Sequence, residues 1–231
     1  MPPSDPAAPE ADATRPPQLD YRPPMAPWLS VLHIDADLLV LSKPSGLLSV
    51  PGKTPDLADC LEARAQARHP GARTVHRLDL ETSGVVAMAR NPAALRHLNA
   101  QFADRRTRKI YVARVAGRME AEAGTVDLPL RADWPRRPMQ RVDLEAGKPS
   151  RTEWRVLARE PDATRVELRP LTGRSHQLRV HMLSLGHPIL GDPFYAPQSL
   201  RAGRLQLHAR ALEIRHPADG RWMRFDDPPP F

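Results

Sequence analysis

Large apolar residues are nearly absent from the first 27 positions and then recur in short, interrupted runs to the C-terminus. Residues 1–27 hold nine prolines and scattered charges. Such a stretch buries too little surface to offset the entropy of ordering it, so a flexible tail is expected. From position 28 the pattern becomes that of a folded domain ending at position 231. Leu29 to Ile34 and Leu38 to Leu41 read as strands split by an Asp-Ala-Asp turn, with Lys43-Pro44-Ser45-Gly46 as the next turn. Thr54-Pro55 pairs an N-cap with proline at the first helical position, and that helix should stop before His69-Pro70-Gly71. Asn91-Pro92 repeats the signal, and Leu95, Leu98 and Phe102 form a helical stripe behind it. Further strands are predicted at 109–116, 125–130, 151–159, 164–170 and 207–215, with a helix starting near Arg174. There is no regular βαβ rhythm and no repeat, which argues for an α+β fold with a largely antiparallel sheet.

Composition narrows the partners. The 231 residues carry a formal charge of +7 and a pI near 10.3, which favours a polyanion. Only Lys43, Lys53, Lys109 and Lys148 are lysines, so 34 − 4 = 30 of the basic residues are arginines. Part of that excess is compositional, because alanine and proline are also abundant. Even so, arginine is the better fork for phosphate. Cys60 is the only cysteine, which rules out an internal disulfide and a cysteine-based zinc site. Its neighbours Leu57 to Leu61 look like one helix face, so a buried inert thiol is expected. The closest histidine pairs, His176/His181 and His181/His187, miss the i, i+4 spacing of helical metal ligands, and no metal is expected. No apolar run suits a signal peptide or a membrane span, so a cytoplasmic location is expected.

The chemistry concentrates in Val75-His76-Arg77-Leu78-Asp79-Leu80-Glu81-Thr82-Ser83-Gly84. An extended entry would point Arg77 and Asp79 to the same side, with Gly84 allowing a sharp bend. By itself this is an ordinary surface ion pair. Four further strings follow a fixed order around it: Lys43 to Gly52, Lys109 to Ala113, Leu171 to His181, and Gly186 to Tyr195. With these strings the chain resembles the RluA-type pseudouridine synthases over roughly residues 28–231. The resemblance implies the pseudouridine synthase fold, a curved mixed sheet with flanking helices and an RNA-binding cleft. It also implies a bare catalytic domain, with no room for the S4-type RNA-binding domain that such enzymes often carry.

Pseudouridine formation detaches uracil from C1′ of its ribose, turns it and rejoins it through C5. This is an isomerisation that requires no cofactor, only an ionised carboxylate acting as nucleophile or base. By resemblance that carboxylate is Asp79; Glu81, two residues on, stands where the family leaves the position open. Arg179 lies in an apolar helix, so its guanidinium needs a buried carboxylate, and the resemblance nominates Asp79 for a forked contact. Without the resemblance, snorkelling to solvent fits Arg179 equally well. Tyr111 matches the family's Lys-x-Tyr pattern, which implies a ring to stack on the uracil and a hydroxyl for proton transfer.

A structured uridine must be flipped out of its stack before the carboxylate reaches it. Arg77 is suited to fill the gap, and His76 to contact the backbone or hold the turn. Arg136, Arg137 and Arg141, interleaved with Trp134 and prolines, are expected to contact RNA in a loop spanning 131–151; Arg106, Arg108 and Lys109 form a second basic cluster. Relatives tend to place a basic residue where Met139 stands. The resemblance is greatest to the dual-specificity branch, which implies stem-loops of tRNA (the anticodon loop) and of 23S ribosomal RNA as partners of a monomeric enzyme. Two other readings use the same residues: a base-flipping hydrolase that cleaves the glycosidic bond outright, and an idle RNA-binding module. Asp79, Tyr111 and Arg179 together speak against the idle module, and release of free uracil would mark the hydrolase.

Overall fold

A computed structural model describes residues 20–201 and 203–231. The fold is α+β, built on a ten-stranded, mostly antiparallel mixed sheet. Its first three neighbours are β1 (Ser30–Ile34), β2 (Leu38–Lys43) and β4 (Ser83–Ala89), with the two-residue β3 (Arg73–Thr74) pairing to β4. Next come β11 (Leu207–Arg215), β5 (Arg108–Ala116), β10 (Ala163–Pro170), β9 (Arg151–Arg159) and β6 (Ala123–Asp127). β12 (Trp222–Asp226) pairs with β11. β7 (Leu130–Ala132) and β8 (Gln140–Val142) form a separate hairpin. Among the described residues only β4 and β11 pair in parallel, through His208↔Ser83 and Ala209↔Gly84.

β2 and β4 are buried on both faces, which explains their unbroken runs Leu38-Leu39-Val40-Leu41 and Val85-Val86-Ala87-Met88-Ala89. Their alternate side chains feed two separate cores. Leu38, Val40, Val85 and Ala87 pack with Leu98 of α2 (Pro92–Ala103), whereas Leu39, Leu41, Val86 and Met88 pack with Leu61 and Ala65 of α1 (Leu61–Arg68). The third helix, α3 (Gln177–Ser184), lies over β9 and β10, sending Leu178 and Met182 into a core with Trp154, Val166 and Leu168. His181, suspected of no metal from its spacing, is a core residue. Its Nε2–H donates to Leu128 O (3.1 Å), leaving Nδ1 to accept from the Thr152 hydroxyl (2.9 Å).

Several local expectations shift. Thr54-Pro55 opens only a 3₁₀ turn, Pro55–Leu57, and α1 begins six residues later with Cys60 as its N-cap, the thiol accepting from Ala63 N–H at 3.3 Å. α3 starts at Gln177 rather than near Arg174, because the Gln177 amide binds Arg151 O and Thr152 Oγ1 (both 3.0 Å) and pins the helix end to β9. The expected tail of residues 1–27 does not include its last seven positions. Tyr21 donates to Asp59 O (2.6 Å), and the buried Arg64 guanidinium donates to Pro24 O (2.8 Å) and Trp28 O (3.1 Å), so residues 21–28 belong to the folded body. Residues 1–19 lie outside those described.

Gly84 marks the tightest backbone approach at the sheet centre. At φ +115° it sits against the Ala209 backbone, so a Cβ would collide with the Ala209 carbonyl and amide. Gly84→Ala is expected to cost about 3 kcal/mol or more in chemical denaturation, from combined strain and overlap. Stability within 1 kcal/mol of wild type would show that β4 and β11 can part without loss.

Candidate active site

The residues from Val75 to Thr82 form no regular element, so other groups must hold their backbone. The Lys43–Ser49 turn does this. The buried Lys43 ammonium donates to Leu80 O (2.9 Å), Leu47 O (2.6 Å) and Pro44 O (3.0 Å). Gly46 N–H donates to the same Leu80 carbonyl (2.9 Å), Ser45 Oγ to Glu81 O (2.7 Å), and Ser49 Oγ to Leu78 O (2.8 Å). Three carbonyls of the loop, those of Leu78, Leu80 and Glu81, are therefore tied to the preceding string. Burial pulls the Lys43 pKa down to about 7, against the charges of Asp79 and Glu81, which favour its ammonium form.

So held, Asp79 opens into a cleft of about 840 Å³, lined also by Tyr111, Thr82, His176 and Arg179. The Asp79 side chain is 29% exposed, and Arg179 Nη1 approaches its Oδ2 to 3.8 Å. The expected fork between these two is not formed. Arg179 forks instead onto Asp192, Nε to Oδ2 at 2.7 Å and Nη2 to Oδ1 at 2.6 Å, with both side chains fully or nearly fully buried. Asp192 also caps its own turn, accepting from Phe194 N–H (2.9 Å) and Tyr195 N–H (3.1 Å). Burial opposes the Arg179 charge, yet the Asp192 hydrogen bonds and the charges of Asp192 and Asp79 hold its pKa above the ordinary value. Arg179 thus presents one remaining N–H face to Asp79 while its other side is anchored.

Tyr111 packs against two of the cores at once and lines the cleft. Burial first, and the Asp79 charge second, raise its pKa above the ordinary phenol, so its hydroxyl stays protonated. His76 is a structural acceptor. Ala87 N–H donates to its Nε2 (2.9 Å), its ring stacks on Phe102 at 4.4 Å, and burial together with Lys109 lowers its pKa to about 3. Of the two alternatives for His76, the structure favours holding the turn. Arg77 is exposed at the cleft wall and makes no ion pair among the described residues. The Glu81 backbone carbonyl faces Ser45, and its carboxylate is also near Ser45 Oγ (3.4 Å).

The expected RNA-contacting loop is a hairpin, and Arg136, Arg137 and Arg141 do not line the cleft. Arg136 pairs with Asp133 (2.5 Å), Arg137 lies 4.0 Å from the Trp134 ring centroid, and Arg141 pairs with Asp143 (3.1 Å). The basic wall of the cleft comes instead from Arg105, Arg108, Lys109, Arg169 and Arg174 beside Arg77. The hairpin still reaches the site through one chain of hydrogen bonds. Gln140 N–H donates to Tyr195 Oη (2.7 Å), which leaves the Tyr195 hydroxyl to donate to His176 Nδ1 (2.7 Å). His176 occupies the left-handed region at φ 53°, and burial lowers its pKa even though Asp79 favours its charge. It is therefore a neutral ring with Nδ1 engaged.

The comparisons agree with this geometry. Residues 37–184 match the RNA pseudouridylate synthase family. The chain belongs to that family. It is an RNA pseudouridine synthase, an isomerase acting on uridine in RNA. It is 54% identical over 92% of its length to 98% of the dual-specificity RNA pseudouridine synthase RluA of Salmonella typhi, and 53% identical over the same shares to that of Escherichia coli (strain K12). The Pasteurella multocida protein of that name is 48% identical over 92% of this chain and 99% of its own. Among solved structures, human RNA pseudouridylate synthase domain containing 1 superposes with a TM-score of 0.75 at 33% identity, covering 88% of this chain and 84% of that one. Human domain containing 4 gives 0.69 at 29% identity over 87% and 88%.

Three residues of this synthase's site escaped the sequence reasoning: Asp192, Tyr195 and His176. All lie in strings that match the family, but nothing in their spacing shows that a residue 13 positions past Arg179 takes its fork. Thr82 adds a fourth, since its buried hydroxyl lines the cleft with no partner among the described residues. As for metals, one close group of ligand-type residues occurs among those described, Asp35, Asp37 and His216, at the end of β2 opposite Lys43. Asp35 there is engaged by His33, His216 and the amides of Asp37 and Leu38. No helix among the described residues is long and apolar enough to cross a membrane.

The two carboxylates near Arg179 have opposite consequences for stability. Removing the guanidinium strands the buried Asp192, so Arg179→Met is expected to lose about 3–5 kcal/mol in urea denaturation. Asp79→Asn, at a partly exposed position, should stay within about 1 kcal/mol. Equal losses would mean that Asp79, not Asp192, carries the structural pairing.

Proposed function

We propose that this synthase modifies uridines in stem-loops of both tRNA (the anticodon loop) and 23S ribosomal RNA, with Asp79 as its catalytic carboxylate. The dual substrate rests on relatives named for dual specificity, which this chain matches across 98–99% of their lengths. The assignment of Asp79 rests on one observation: it is the carboxylate that meets Arg179, Tyr111 and His176 in a single cleft. In that setting an ionised Asp79 acts on the flipped nucleoside as nucleophile or base, the N1–C1′ bond breaks, and C5 takes its place with loss of the C5 proton while the freed N1 takes up one, so no net proton is gained or lost. Arg179 Nη1 favours the ionised carboxylate and orients it. Tyr111 stacks beneath the base, its protonated hydroxyl available for transfer at C5 once a base draws its proton. The two substrates point to the cytoplasm.

A single assay addresses both parts of the proposal. Purified protein is incubated separately with an isolated tRNA anticodon stem-loop and a 23S hairpin, and pseudouridine is mapped. The wild type should convert both RNAs. Asp79→Asn should convert neither while its RNA affinity stays within a few-fold, because the amide keeps the shape but lacks the charge. Turnover by pure Asp79→Asn protein, with deamidation excluded, would remove Asp79 from its role, and conversion of one RNA alone would overturn the dual reading.

Arg77 is proposed to fill the space the flipped base vacates, supported by its exposed, unpaired position on the cleft wall. Flipping out of a structured loop costs a few kcal/mol, so Arg77→Ala should reduce kcat/KM far more on a structured stem-loop than on RNA whose target is already unpaired. Equal losses on both would exclude that role.

A further inference from the structure

The cleft does not end at Arg108. Its lining continues through Arg108, Glu213 and Arg224, and the same three side chains bound a second depression of about 310 Å³ completed by Trp222 and Met223. The strand register explains how they meet. Arg108 of β5 stands opposite Glu213 of β11, Glu213 opposite Arg224 of β12, and Arg215 opposite Trp222. Trp222 leaves 46% of its surface in solvent on the outermost of these strands. Two guanidinium groups flank its ring, Arg215 at 4.7 Å and Arg108 at 5.3 Å from the centroid.

These charges do not cancel. Arg108, Arg210, Arg215 and Arg224 surround two carboxylates, Glu213 and Asp226, so 4 − 2 = 2 positive charges remain. Glu213 is shared between Arg108 (3.4 Å) and Arg224 (2.9 Å), and the Arg108 side chain stays 73% exposed. An exposed indole beside surplus guanidinium groups is the combination that holds single-stranded nucleic acid, bases on the ring and phosphates on the cations. From Tyr111, strand rise and strand spacing put Trp222 on the order of 20 Å away. This is a reach of a few nucleotides along the same RNA.

We propose that Trp222, with Arg108, Arg215 and Arg224, forms a second subsite that stacks an unpaired nucleotide flanking the modified stem-loop. The inference rests on the RNA-substrate reading above and extends it beyond the loop that enters the cleft. It makes Trp222 a binding residue with no part in the isomerisation.

The test compares a minimal anticodon stem-loop with the same stem-loop carrying single-stranded extensions on both sides. Wild-type protein should bind the extended RNA more tightly. Trp222→Ala should lose about 5- to 100-fold in affinity for the extended RNA, the range of one base–aromatic stack. Its affinity for the minimal RNA, its saturated kcat and its thermal midpoint should be unchanged. Trp222→Phe, which keeps a ring, should retain most of the affinity. Extended RNA should also quench wild-type tryptophan emission more than that of Trp222→Phe, since Trp28, Trp134 and Trp154 remain in both. If extensions add nothing to wild-type affinity, or if Ala and Phe behave alike, the Trp222 ladder serves the sheet surface or a protein partner and the subsite is overturned. If the wild type bound neither RNA, the substrate reading itself would fall, an outcome distinguishable from failure of the extension alone.

Discussion

A guanidinium buried against a carboxylate organises this molecule. Arg179 and Asp192 are both withdrawn from water, and removing either leaves an uncompensated charge in the core. Their fork uses two of the arginine's donor positions, and two backbone amides of the following turn occupy the carboxylate. The direction of α3, the turn carrying Phe194 and Tyr195, and the one guanidinium face left for Asp79 are thereby fixed together. Phe194 and Tyr195 in turn lie 5.2 and 5.0 Å from the guanidinium, closing it off from above.

The Asp79 loop is positioned from the other side by entirely different means. It has no ladder of its own, and its carbonyls are gathered by a buried ammonium, two hydroxyls and a glycine amide. The two supports meet across the cleft at the 3.8 Å contact between Arg179 and Asp79. The histidines around them are kept neutral by burial, His76 accepting from the sheet and His176 accepting from Tyr195. Free cationic charge is thus left to the arginines of the cleft wall, where a phosphate backbone can reach it.

Much of this was readable in advance. Alternation and turn residues located β1, β2, β5, β9, β10 and β11, and the Asn91-Pro92 signal located α2, because each depends on local periodicity. β4 was missed because a strand buried on both faces carries no alternation, and its glycine reads as a bend. β12 was missed too, its short run of alternating polar residues being indistinguishable from loop. Arg179 shows the limit most clearly. Its helix dictated a buried carboxylate partner, but Asp79 and Asp192 satisfy that demand equally until the fold chooses between them. The basic stretch around Trp134 was legible only as charge: a run of arginines announces it, while its own aspartates, Asp133 and Asp143, absorb part of it locally.

The position of β11 has an implication for how the enzyme comes into being. This strand, the eleventh in chain order, is wedged between β4 and β5 and is, among the described residues, the one ladder joining the block that carries Asp79 to the block that carries Tyr111 and Arg179. Until it is inserted, the two halves of the site belong to separate sheets. A growing chain that has not yet delivered β11 therefore has no assembled active site. β11 acts as a topological clasp that withholds catalytic competence until it has been added.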